Sequence, residues 1–598
     1  MSDTNLMPVM PVFDLEVVGS LYTDGEHVRL AGLFLEVLGF FEANTALYFT
    51  VEEQNYIHAF INVFLNILAE ENFDINIGMA RKYISFNVVI SNLVSLTPLK
   101  NTDLYLEKIR KHKNWFVKVL VLYSARNTVL FNERDFFEVD RDLASYWYCA
   151  YAVCCYSGLV DEVVCRNLKR HYLIEHPGLN PFQSGIDIVP LYFASTYLDG
   201  VVDRFVKSRF NNVVSRNYKI INGNAGRSDM RKVGVFSRAW RKSHSVYRNY
   251  WAYLNNLKES YELVFFKLSV DADCDVSLFH KVYTFDRFQE MVRHKSLLSG
   301  DFGIFYFPDV GMSVESIILA NCRVAPIQVC SPGHSVSTFG SKVDYFISGY
   351  DVESSVAAEN NYSEKLVLIP GMGVIHNTPD YNLIGNRKKT SAVVINCSWY
   401  SQKVNYYFVC VLKKMLEQFR RKVIFRIFLG DSVSKRNDYL AFASSLVEQL
   451  GAECIELYVG LGYQGYMELM EEGDLSIESF HFGGCNTVSD SLYVRVPMIS
   501  WEGDKWYNRI GSQMLRVAGL QDCIATSEVE FINKTAWLVN NDGAREDVKS
   551  RLSKVDLDKT IYSKDDAKYF TEAFNYLVKN HNDQLGAGHG QPIIIERC

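Results

Sequence analysis

The stretch Phe480-His-Phe-Gly-Gly-Cys-Asn-Thr-Val-Ser-Asp490 places two glycines between an apolar strand end and the start of a helix, a unit typical of α/β folds. The first N–H groups of a helix have no partner inside it and carry partial positive charge. Glycine lets a phosphate come close to the backbone. We therefore interpret Gly484, Cys485, Asn486 and Thr487 as a candidate phosphate-binding turn.

Two better-known phosphate motifs do not fit this stretch. No Gly-Lys-Ser/Thr follows the glycines, so it is not a Walker loop. The third glycine of the dinucleotide fingerprint is missing as well. Taken alone, the pattern also fits an ordinary strand-to-helix turn, and its interpretation depends on the rest of the chain.

Composition is that of a globular protein with several domains. The chain has 598 residues, with 48% hydrophobic and 22% charged side chains, which predicts two to four domains. The net charge of −7 disfavours nucleic-acid binding, which needs a basic surface. The 13 cysteines are scattered without a C-x-x-C pair, so we expect free thiols in a reducing cytoplasm. The N-terminus lacks the pattern of a secretory signal, and no apolar stretch is long enough to span a membrane.

The spacing of apolar residues changes twice along the chain. Residues 1–255 have helical spacing and predict an all-α domain. Residues 256–385 alternate short apolar runs with helical stretches, as in a parallel α/β sheet. After a polar linker, residues 386–598 repeat that pattern. Ligands of such sheets bind beyond the carboxyl ends of the strands, and the candidate turn lies at such an end in the second α/β unit.

Several other side chains follow predicted strands on the same side. Lys403 follows the first strand of the second unit and could meet a diphosphate as a point charge. His334 follows the strand 327–330 and could act as an acid or base. Tyr463 and Tyr466 could flank a nucleobase, and Asp431 is a lone carboxylate. Each residue also fits a structural role, as a loop lysine, a structural histidine or an aromatic packed at a helix start.

The sequence lacks the motifs of a metal site and of a catalytic serine triad. The sequence has no H-E-x-x-H, no Cys/His cluster and no serine triad. The acidic run 271–275 lies in the other α/β unit from the candidate turn, so we interpret it as a solvated loop. We therefore expect a site without a metal ion.

Four segments, taken in order, resemble glycosyltransferase family 41. They are Ala325-Pro-Ile-Gln-Val-Cys-Ser-Pro-Gly-His334, Tyr362-Ser-Glu-Lys-Leu366, Phe480–Asp490 and Gly503-Asp-Lys-Trp-Tyr-Asn-Arg-Ile-Gly-Ser-Gln-Met-Leu515. The resemblance covers roughly residues 300–530. This family contains the O-GlcNAc transferases and the bacterial cytoplasmic glycosyltransferases that modify adhesins.

The resemblance implies a GT-B fold, with two Rossmann-like lobes (256–385 and 386–598) behind an all-α domain (1–255) on the acceptor side. It implies an inverting transfer from a UDP-sugar, with no metal or other cofactor. A helical domain without tetratricopeptide repeats is similar to the bacterial branch. That branch implies UDP-glucose as the favoured donor, a cytoplasmic enzyme, and an adhesin-like acceptor protein modified on Asn in N-x-S/T sequons.

The resemblance also assigns site residues. Lys403 is similar to the diphosphate lysine of the family, and Asp490 to its ribose-contacting carboxylate. Tyr463 and Tyr466 fall where the uracil is held, and His334 falls near the sugar and the acceptor. The phosphate cradle corresponds to Cys485, Asn486 and Thr487, after Gly484. His334 and Asp431 are the two candidates for the base.

Three positions depart from the family pattern. Ser335 stands where the family has proline, Phe339 where the bacterial branch has a second histidine, and Asp431 where a glutamine is expected. These departures leave the donor sugar and the acceptor residue open. Two alternatives follow: a GT-B enzyme that glycosylates hydroxyl groups from another nucleotide sugar, or a GT-B scaffold that has lost catalysis.

Overall fold

The computed structural model describes residues 10–43, 50–175, 179, 188–218, 228–298, 300–353, 356–385, 391–430, 436–586 and 590–597. The chain forms two compact units. Met1–Leu198, Trp399–Lys413 and Ile427–Gly460 make up the first, and Asp199–Ser398, Lys414–Arg426 and Leu461–Cys598 make up the second.

Helices build the first 198 residues. They are α1 (Leu15–Thr23), α2 (His27–Ala43), α3 (Val51–Leu68), α4 (Ile77–Ser85), α5 (Asn87–Ser95), α6 (Asp103–Ile109), α7 (Trp115–Leu122), α8 (Glu133–Val139), α9 (Arg141–Ala152), α10 (Cys155–Gly158), α11 (Glu162–Leu173) and α12 (Val189–Ala194).

Polar side chains set several of these helix starts. The carboxylates of Asp14, Asp140 and Asp161 each accept two backbone N–H groups at the starts of α1, α9 and α11. Thr50 and Glu53 form a reciprocal capping box at the start of α3. Each cap satisfies N–H groups that the helix itself leaves unpaired, so the sequence fixes where these helices begin.

Trp147 lies at the centre of an aromatic core in the first unit. It is fully buried, and its indole N–H donates to the carbonyl of Tyr123 over 3.0 Å. The ring of His171 is stacked between Tyr148 and Tyr151, at 4.1 and 4.2 Å. Dense contacts among large rings give this unit much of its apolar burial.

A buried amide attaches a distant segment to this helical unit. The Asn92 side chain, which has no exposed surface, donates to Asn437 and Asp438, both over 2.8 Å. Arg126 donates to the other end of the same amide over 3.3 Å. Buried polar groups must be paired, and this network explains why the segment Ile427–Gly460 belongs to the first unit.

Strands and helices alternate in residues 199–385. The elements are α13 (Gly200–Asn217), β1 (Asp229–Phe236), α14 (Ser245–Leu257), β2 (Glu262–Leu268), β3 (Lys281–Phe285), α15 (Phe288–Val292), α16 (Lys295–Leu298), β4 (Phe302–Phe307), α17 (Val314–Ala320), β5 (Ile327–Cys330), β6 (Tyr345–Gly349) and β7 (Lys365–Ile369).

The same alternation continues in residues 391–597. The elements are β8 (Val393–Cys397), α18 (Tyr406–Gln418), β9 (Val423–Phe428), α19 (Arg436–Leu450), β10 (Ile455–Tyr458), α20 (Tyr463–Glu472), β11 (Leu475–Ile477), α21 (Asn486–Tyr493), β12 (Met498–Trp501), α22 (Ile510–Val517), β13 (Ile524–Ala525), α23 (Glu528–Asn540), α24 (Asp542–Ser553), α25 (Ala567–Gly586) and β14 (Ile593–Ile594).

The first sheet lies wholly in the second unit. Its strand order is β14-β7-β6-β5-β4-β1-β2-β3, and every neighbouring pair is parallel. All residues of β4, β5 and β6 are buried. Burial on both faces is expected of a parallel sheet covered by helices.

The second sheet has the order β10-β9-β8-β11-β12-β13. Strands β8, β11, β12 and β13 pair in parallel in the second unit. The far end of β9 lies in the first unit, where the N–H of Leu429 donates to Tyr458 at the end of β10 over 3.0 Å. The predicted architecture, two successive parallel sheets behind a helical region, is confirmed.

The domain boundaries differ from the predicted ones in two places. Strand β1 lies inside the region predicted to be all-α, and it pairs with β2 and β4 in the middle of the first sheet. Its first half is exposed and carries basic residues, which hid the strand pattern. In addition, two elements at the end of the region assigned to the second lobe pack with the first: β14 pairs with β7 in the first sheet, and Phe570 of α25 stacks on Tyr253 of α14.

Most predicted elements are present with small shifts in their bounds. The stretch after strand β3 forms the two short helices α15 and α16 rather than one long helix. None of the helices in the described ranges combines the length and the apolarity that a membrane crossing requires.

Replacing Trp147 by alanine should remove about 3–5 kcal/mol from the free energy of unfolding, because it deletes the largest side chain of the aromatic core and leaves a cavity. Urea unfolding followed by far-ultraviolet circular dichroism measures this loss. Trp537→Ala is the matched control, since Trp537 is 50% exposed; it should cost less than about 1 kcal/mol. Equal losses in the two variants would contradict the assignment of Trp147 to the core.

Candidate functional site

The glycine turn connects β11 to α21 and is fixed by a buried carboxylate. One oxygen of Glu478 accepts the N–H of Gly484 over 2.7 Å, and the other accepts the hydroxyl of Ser500. A Cβ at Gly483 would lie 2.3 Å from Glu478, and one at Gly511 would lie 2.5 Å from it. The carboxylate and the turn therefore fit together only if glycine occupies these positions.

The start of α21 is left open by the protein. Cys485 precedes the helix, and no side chain caps it. Within the described residues, the N–H groups of Asn486 and Thr487 have no acceptor. A Cβ at Gly484 would lie 2.2 Å from the hydroxyl of Thr487. An uncapped helix start with its positive dipole end is a favourable place for an anion.

One turn further along α21, Asp490 is held by two partners. Arg248 donates to Oδ1 of Asp490 over 2.7 Å, and the hydroxyl of Tyr463 donates to the same oxygen over 2.8 Å. The Arg248 guanidinium also lies 5.2 Å from the centre of the Tyr463 ring. Burial opposes the charge of Arg248, but the Asp490 carboxylate outweighs it and raises the pKa of Arg248. In the described part of the chain, Oδ2 of Asp490 accepts no hydrogen bond from the protein.

A buried histidine supports the open helix start. Nδ1 of His376 lies 3.0 Å from Oδ1 of Asn486, which places the proton on Nδ1 if the amide oxygen is the acceptor. Burial and the charge of Arg248 lower the pKa of His376 to about 4. The side chain of Asn249 donates to Sγ of Cys485 over 3.6 Å. His376 is therefore neutral at pH 7 and orients Asn486.

Tyr466 and Tyr463 both lie in the first turns of α20, with ring centres 6.1 Å apart. The Tyr466 hydroxyl lies 3.0 Å from Oγ of Ser398, just after β8. The hydroxyl of Tyr463, in contrast, donates to Asp490. The structure thus brings Tyr463 to Asp490, one turn beyond the start of α21, and the roles of both residues toward a nucleotide stay predictions.

A loop after β5 carries His334, and the Ser-Glu-Lys-Leu segment anchors that loop. Glu364 accepts the hydroxyl of Ser337 over 2.7 Å and the N–H of Thr338 over 2.9 Å. Ser363 accepts the N–H of Gly340 over 2.9 Å. The buried carboxylate of Glu364 thereby holds two consecutive residues of the loop, which gives this sequence segment a physical role.

His334 itself is buried and has a defined tautomer. Its Nδ1 lies 2.8 Å from the carbonyl of Val310, which accepts, so Nδ1 carries the proton and Nε2 carries the lone pair. Burial, and then the positive charge of Lys207, hold the pKa of His334 well below its ordinary value. The imidazole is therefore neutral at pH 7 and can accept a proton at Nε2.

Two of the departures from the family pattern have structural explanations. Phe339 adopts a φ of +49° and lies over the cations of Arg204 and Lys207, 5.3 and 5.9 Å from its ring centre. Lys207 is fully buried and pairs with Asp203 over 2.7 Å. An aromatic ring thus covers a buried ion pair here. Ser335 donates to the carbonyl of Pro332 over 3.1 Å.

A further carboxyl group lies at the same edge of the first sheet. Asp309 follows β4, is 2% exposed, and accepts the hydroxyl of Ser237 over 2.7 Å. Its other oxygen has no hydrogen-bond partner in the described part of the chain. Burial raises the pKa of Asp309 to about 7. The adjacent residue, Val310, is the acceptor for His334, so this acid belongs to the same loop cluster.

Lys403 and Asp431 are the two other residues predicted for the site. Lys403 lies in the short 3-10 helix Ser401–Lys403 after β8 and belongs to the first compact unit. Its role toward the glycine turn stays a prediction. Asp431 lies outside the described residues. In the described ranges, no group of three or more His, Cys, Asp or Glu side chains is placed to hold a metal ion.

Sequence reasoning missed Arg248, Asn249, His376 and Asp309. Arg248 and Asn249 lie on α14, inside the region predicted to be a separate helical domain. His376 lies in the segment before the predicted linker. No local signal marks Arg248, Asn249 and His376, because their partners in and just before α21 lie more than one hundred positions away in sequence. Asp309 is missed because its partner, Ser237, is 72 positions away.

No family model matches the chain, whereas several curated proteins named as glycosyltransferases are similar to it in sequence. A UDP-glucose:protein N-β-glucosyltransferase from Actinobacillus pleuropneumoniae serotype 5b (strain L20) is 23% identical over 415 residues, 65% of this chain and 65% of the relative. SPINDLY of Solanum lycopersicum, named a probable UDP-N-acetylglucosamine–peptide N-acetylglucosaminyltransferase, is 26% identical over 230 residues. That match covers 37% of this chain and 24% of the relative. The chain thus spans less than two thirds of the length of either curated relative.

The fold comparison covers nearly the whole chain. An O-GlcNAc transferase from Thermobaculum terrenum, solved in a mutant form, superposes with a TM-score of 0.57 at 14% identity, over 96% of this chain and 97% of the other. The match extends over both sheets and the helical region ahead of them, which confirms the GT-B fold. The sequence relatives and this solved structure are named as glycosyltransferases, and the chain is similar to proteins of the glycosyltransferase family 41 type.

Proposed function

We propose that the protein is a UDP-sugar-dependent protein glycosyltransferase. The observation that carries this proposal is the open start of α21 beside a fixed carboxylate. The uncapped N–H groups of Asn486 and Thr487 suit a diphosphate. Asp490, whose Oδ1 is occupied by Arg248 and Tyr463, keeps Oδ2 for the hydroxyls of a ribose. The names of the sequence relatives agree with a UDP-sugar donor and a protein acceptor.

The donor half of the reaction needs its leaving group stabilised. As the bond between the anomeric carbon and the phosphate oxygen breaks, its electron pair leaves with UDP. The helix dipole of α21 and the ammonium group of Lys403 are the charges we assign to that diphosphate. Both act through positioned charge rather than through covalent chemistry.

The acceptor half needs a proton acceptor. The lone pair of the acceptor attacks the anomeric carbon from the face opposite UDP, which inverts the configuration, and the acceptor loses a proton. We assign that proton to Nε2 of His334, because its bond to Val310 already fixes the proton on Nδ1. Asp309, in the adjoining loop, is the second candidate, because burial raises its pKa to about 7 and makes its carboxylate form a stronger base.

We further propose glucose as the sugar and the asparagine amide as the acceptor, on adhesin-like proteins in the cytoplasm. Support for glucose and for the nitrogen linkage comes from the name of the Actinobacillus pleuropneumoniae relative. The alternative is transfer to a hydroxyl group, as the name of the solved O-GlcNAc transferase suggests. A catalytically inactive scaffold is the remaining alternative, and donor turnover separates it from both enzymes.

Incubation with UDP- and GDP-sugars should release UDP from UDP-glucose, and an Asn-Xaa-Thr peptide should accelerate the release. Lys403→Ala should lower kcat by about 10²–10³-fold, because the leaving diphosphate loses a positioned charge. Lys422→Ala, at an exposed lysine, is the matched control and should leave the rate unchanged. Nucleotide release from another donor would assign a different sugar to the enzyme. Absence of turnover with every donor would favour the catalytically inactive scaffold.

Asp490→Asn should raise the Kd for UDP by about 10- to 100-fold, because an amide replaces a charged acceptor of the ribose hydroxyls. Isothermal titration calorimetry measures the change. Asp504→Asn, which removes an exposed carboxylate near α22, is the control and should bind UDP as the parent does. Unchanged affinity in Asp490→Asn, with an unchanged thermal unfolding midpoint, would refute the assignment of Asp490 to the donor.

His334→Asn should lower kcat by about 10²–10⁴-fold without loss of structure, because the new amide can still donate to Val310 but cannot act as a base. The pKa of His334 is lowered far below 6.5, so the imidazole stays neutral when the pH falls from 8 to 6. The profile of kcat/KM should therefore show no histidine limb in that range. A limb near pH 6.5 that His334→Asn abolishes would contradict this account of the base.

A further inference from the structure

A solvent-filled cleft of about 700 Å³ lies in the second unit, between the end of α18 and the outer face of α23. Its residues take no part in the donor site proposed above. The lining residues are Glu417, Gln418, Phe419, Arg420, Asn533, Ala536, Trp537, Asn540 and Asn541.

One face of α23 supplies the centre of the cleft. Asn533, Trp537 and Asn540 are spaced by four and three residues, so they form a single row along the helix. Trp537 stands in the middle of the row and is 50% exposed, which is unusual for so large an apolar ring. An amide side chain thus lies one helical turn to either side of an accessible indole.

The cleft is held rigidly at one end. Asn540 accepts the N–H of Arg420 over 2.8 Å and donates to the carbonyl of Gln418 over 3.1 Å, so it bonds the end of α18 to the end of α23. Lys414, about one turn before the end of α18, pairs with Glu528 at the start of α23 over 2.5 Å. The walls are therefore positioned before any ligand binds, which lowers the cost of binding.

Other polar groups in the cleft remain available. In the described part of the chain, the side-chain amides of Gln418 and Asn533 make no hydrogen bond to the protein. Glu417 and Arg420 contribute one charge of each sign, so the cleft carries no net charge from its lining. An apolar ring among neutral and balanced polar groups does not select an anion, a cation or an extended apolar segment.

We propose that this cleft binds a neutral carbohydrate. A pyranose ring has one face of C–H groups, which can pack on the indole of Trp537, and an edge of hydroxyls, which can bond amides that both donate and accept. The volume lies within the range of small-molecule sites. If the proposed function holds, the sugar is carried by the glycosylated protein, and the cleft retains product chains away from the donor site.

Ligand-observed saturation-transfer NMR with methyl β-glucoside and cellobiose tests the proposal on the full chain. Excess UDP is present to occupy the donor site, and the acyclic polyol sorbitol is the reference because it has no ring face. We expect transfer to the ring C–H groups of both sugars and none to sorbitol. Sugar signals no stronger than those of sorbitol would overturn the proposal.

Three variants locate the binding. Trp537→Ala should raise the Kd about tenfold or more, as for a central aromatic contact, and Asn533→Ala should raise it by a smaller factor. Val529→Ala is the matched control, because Val529 is 65% exposed on the same helix but does not line the cleft. Unchanged binding in Trp537→Ala, with an unchanged unfolding midpoint, would refute the site. Asp490→Asn should bind these sugars like the parent, so failure of the donor site and failure of this cleft are distinguishable.

Two peptides, one with and one without glucose, test whether the cleft binds sugar that is attached to protein. A peptide that carries one glucose on asparagine should compete with cellobiose, whereas the same peptide without glucose should not. Competition by the free saccharides alone assigns the cleft to free sugars and still supports a carbohydrate site. Equal competition by both peptides would show that the cleft binds peptide, which would overturn the proposal.

Discussion

The carboxylate of Glu478 fixes the part of the molecule on which the candidate site depends. It is 4% exposed, and it bonds both the N–H of Gly484 and the hydroxyl of Ser500. A buried carboxylate without such donors would be strongly destabilising, so its position and the path of the turn determine each other. The turn leads directly into α21. The Glu478 carboxylate therefore also determines the direction of the unpaired N–H groups at the start of that helix.

The surroundings of α21 come from the segments around the first sheet. Arg248 lies on α14, and His376 lies seven residues after the end of β7; both contact α21. Arg509, beyond β12, donates to the carbonyl of Val352, just after β6, over 2.7 Å. These bonds are between polar groups that would otherwise be buried unpaired, so they favour one arrangement of the segments.

Local sequence predicted the elements whose burial is uniform. The runs that form β2, β4 and β5 are apolar because both faces of a parallel sheet are covered, and short apolar runs between helices are easily recognised. Strand β1 escaped recognition because half of it is exposed, and β13 and β14 because each has only two residues. The glycine turn was predictable from its local chemistry. The partners of Asp490 and Asn486 were not, since 242 and 110 residues separate them from Arg248 and His376.

The position of β14 at the edge of the first sheet has a consequence for synthesis on the ribosome. Strand β7 is made more than two hundred residues before β14, and α25, which covers α14, is also made late. During translation, the edge of β7 and the apolar surface under α25 stay exposed while the whole second sheet is made. Exposed strand edges invite pairing with other chains. The first sheet is thus the first α/β layer to emerge and the last to be completed. The nascent chain needs protection until the last helix has emerged, either by a chaperone or by rapid folding of its second sheet.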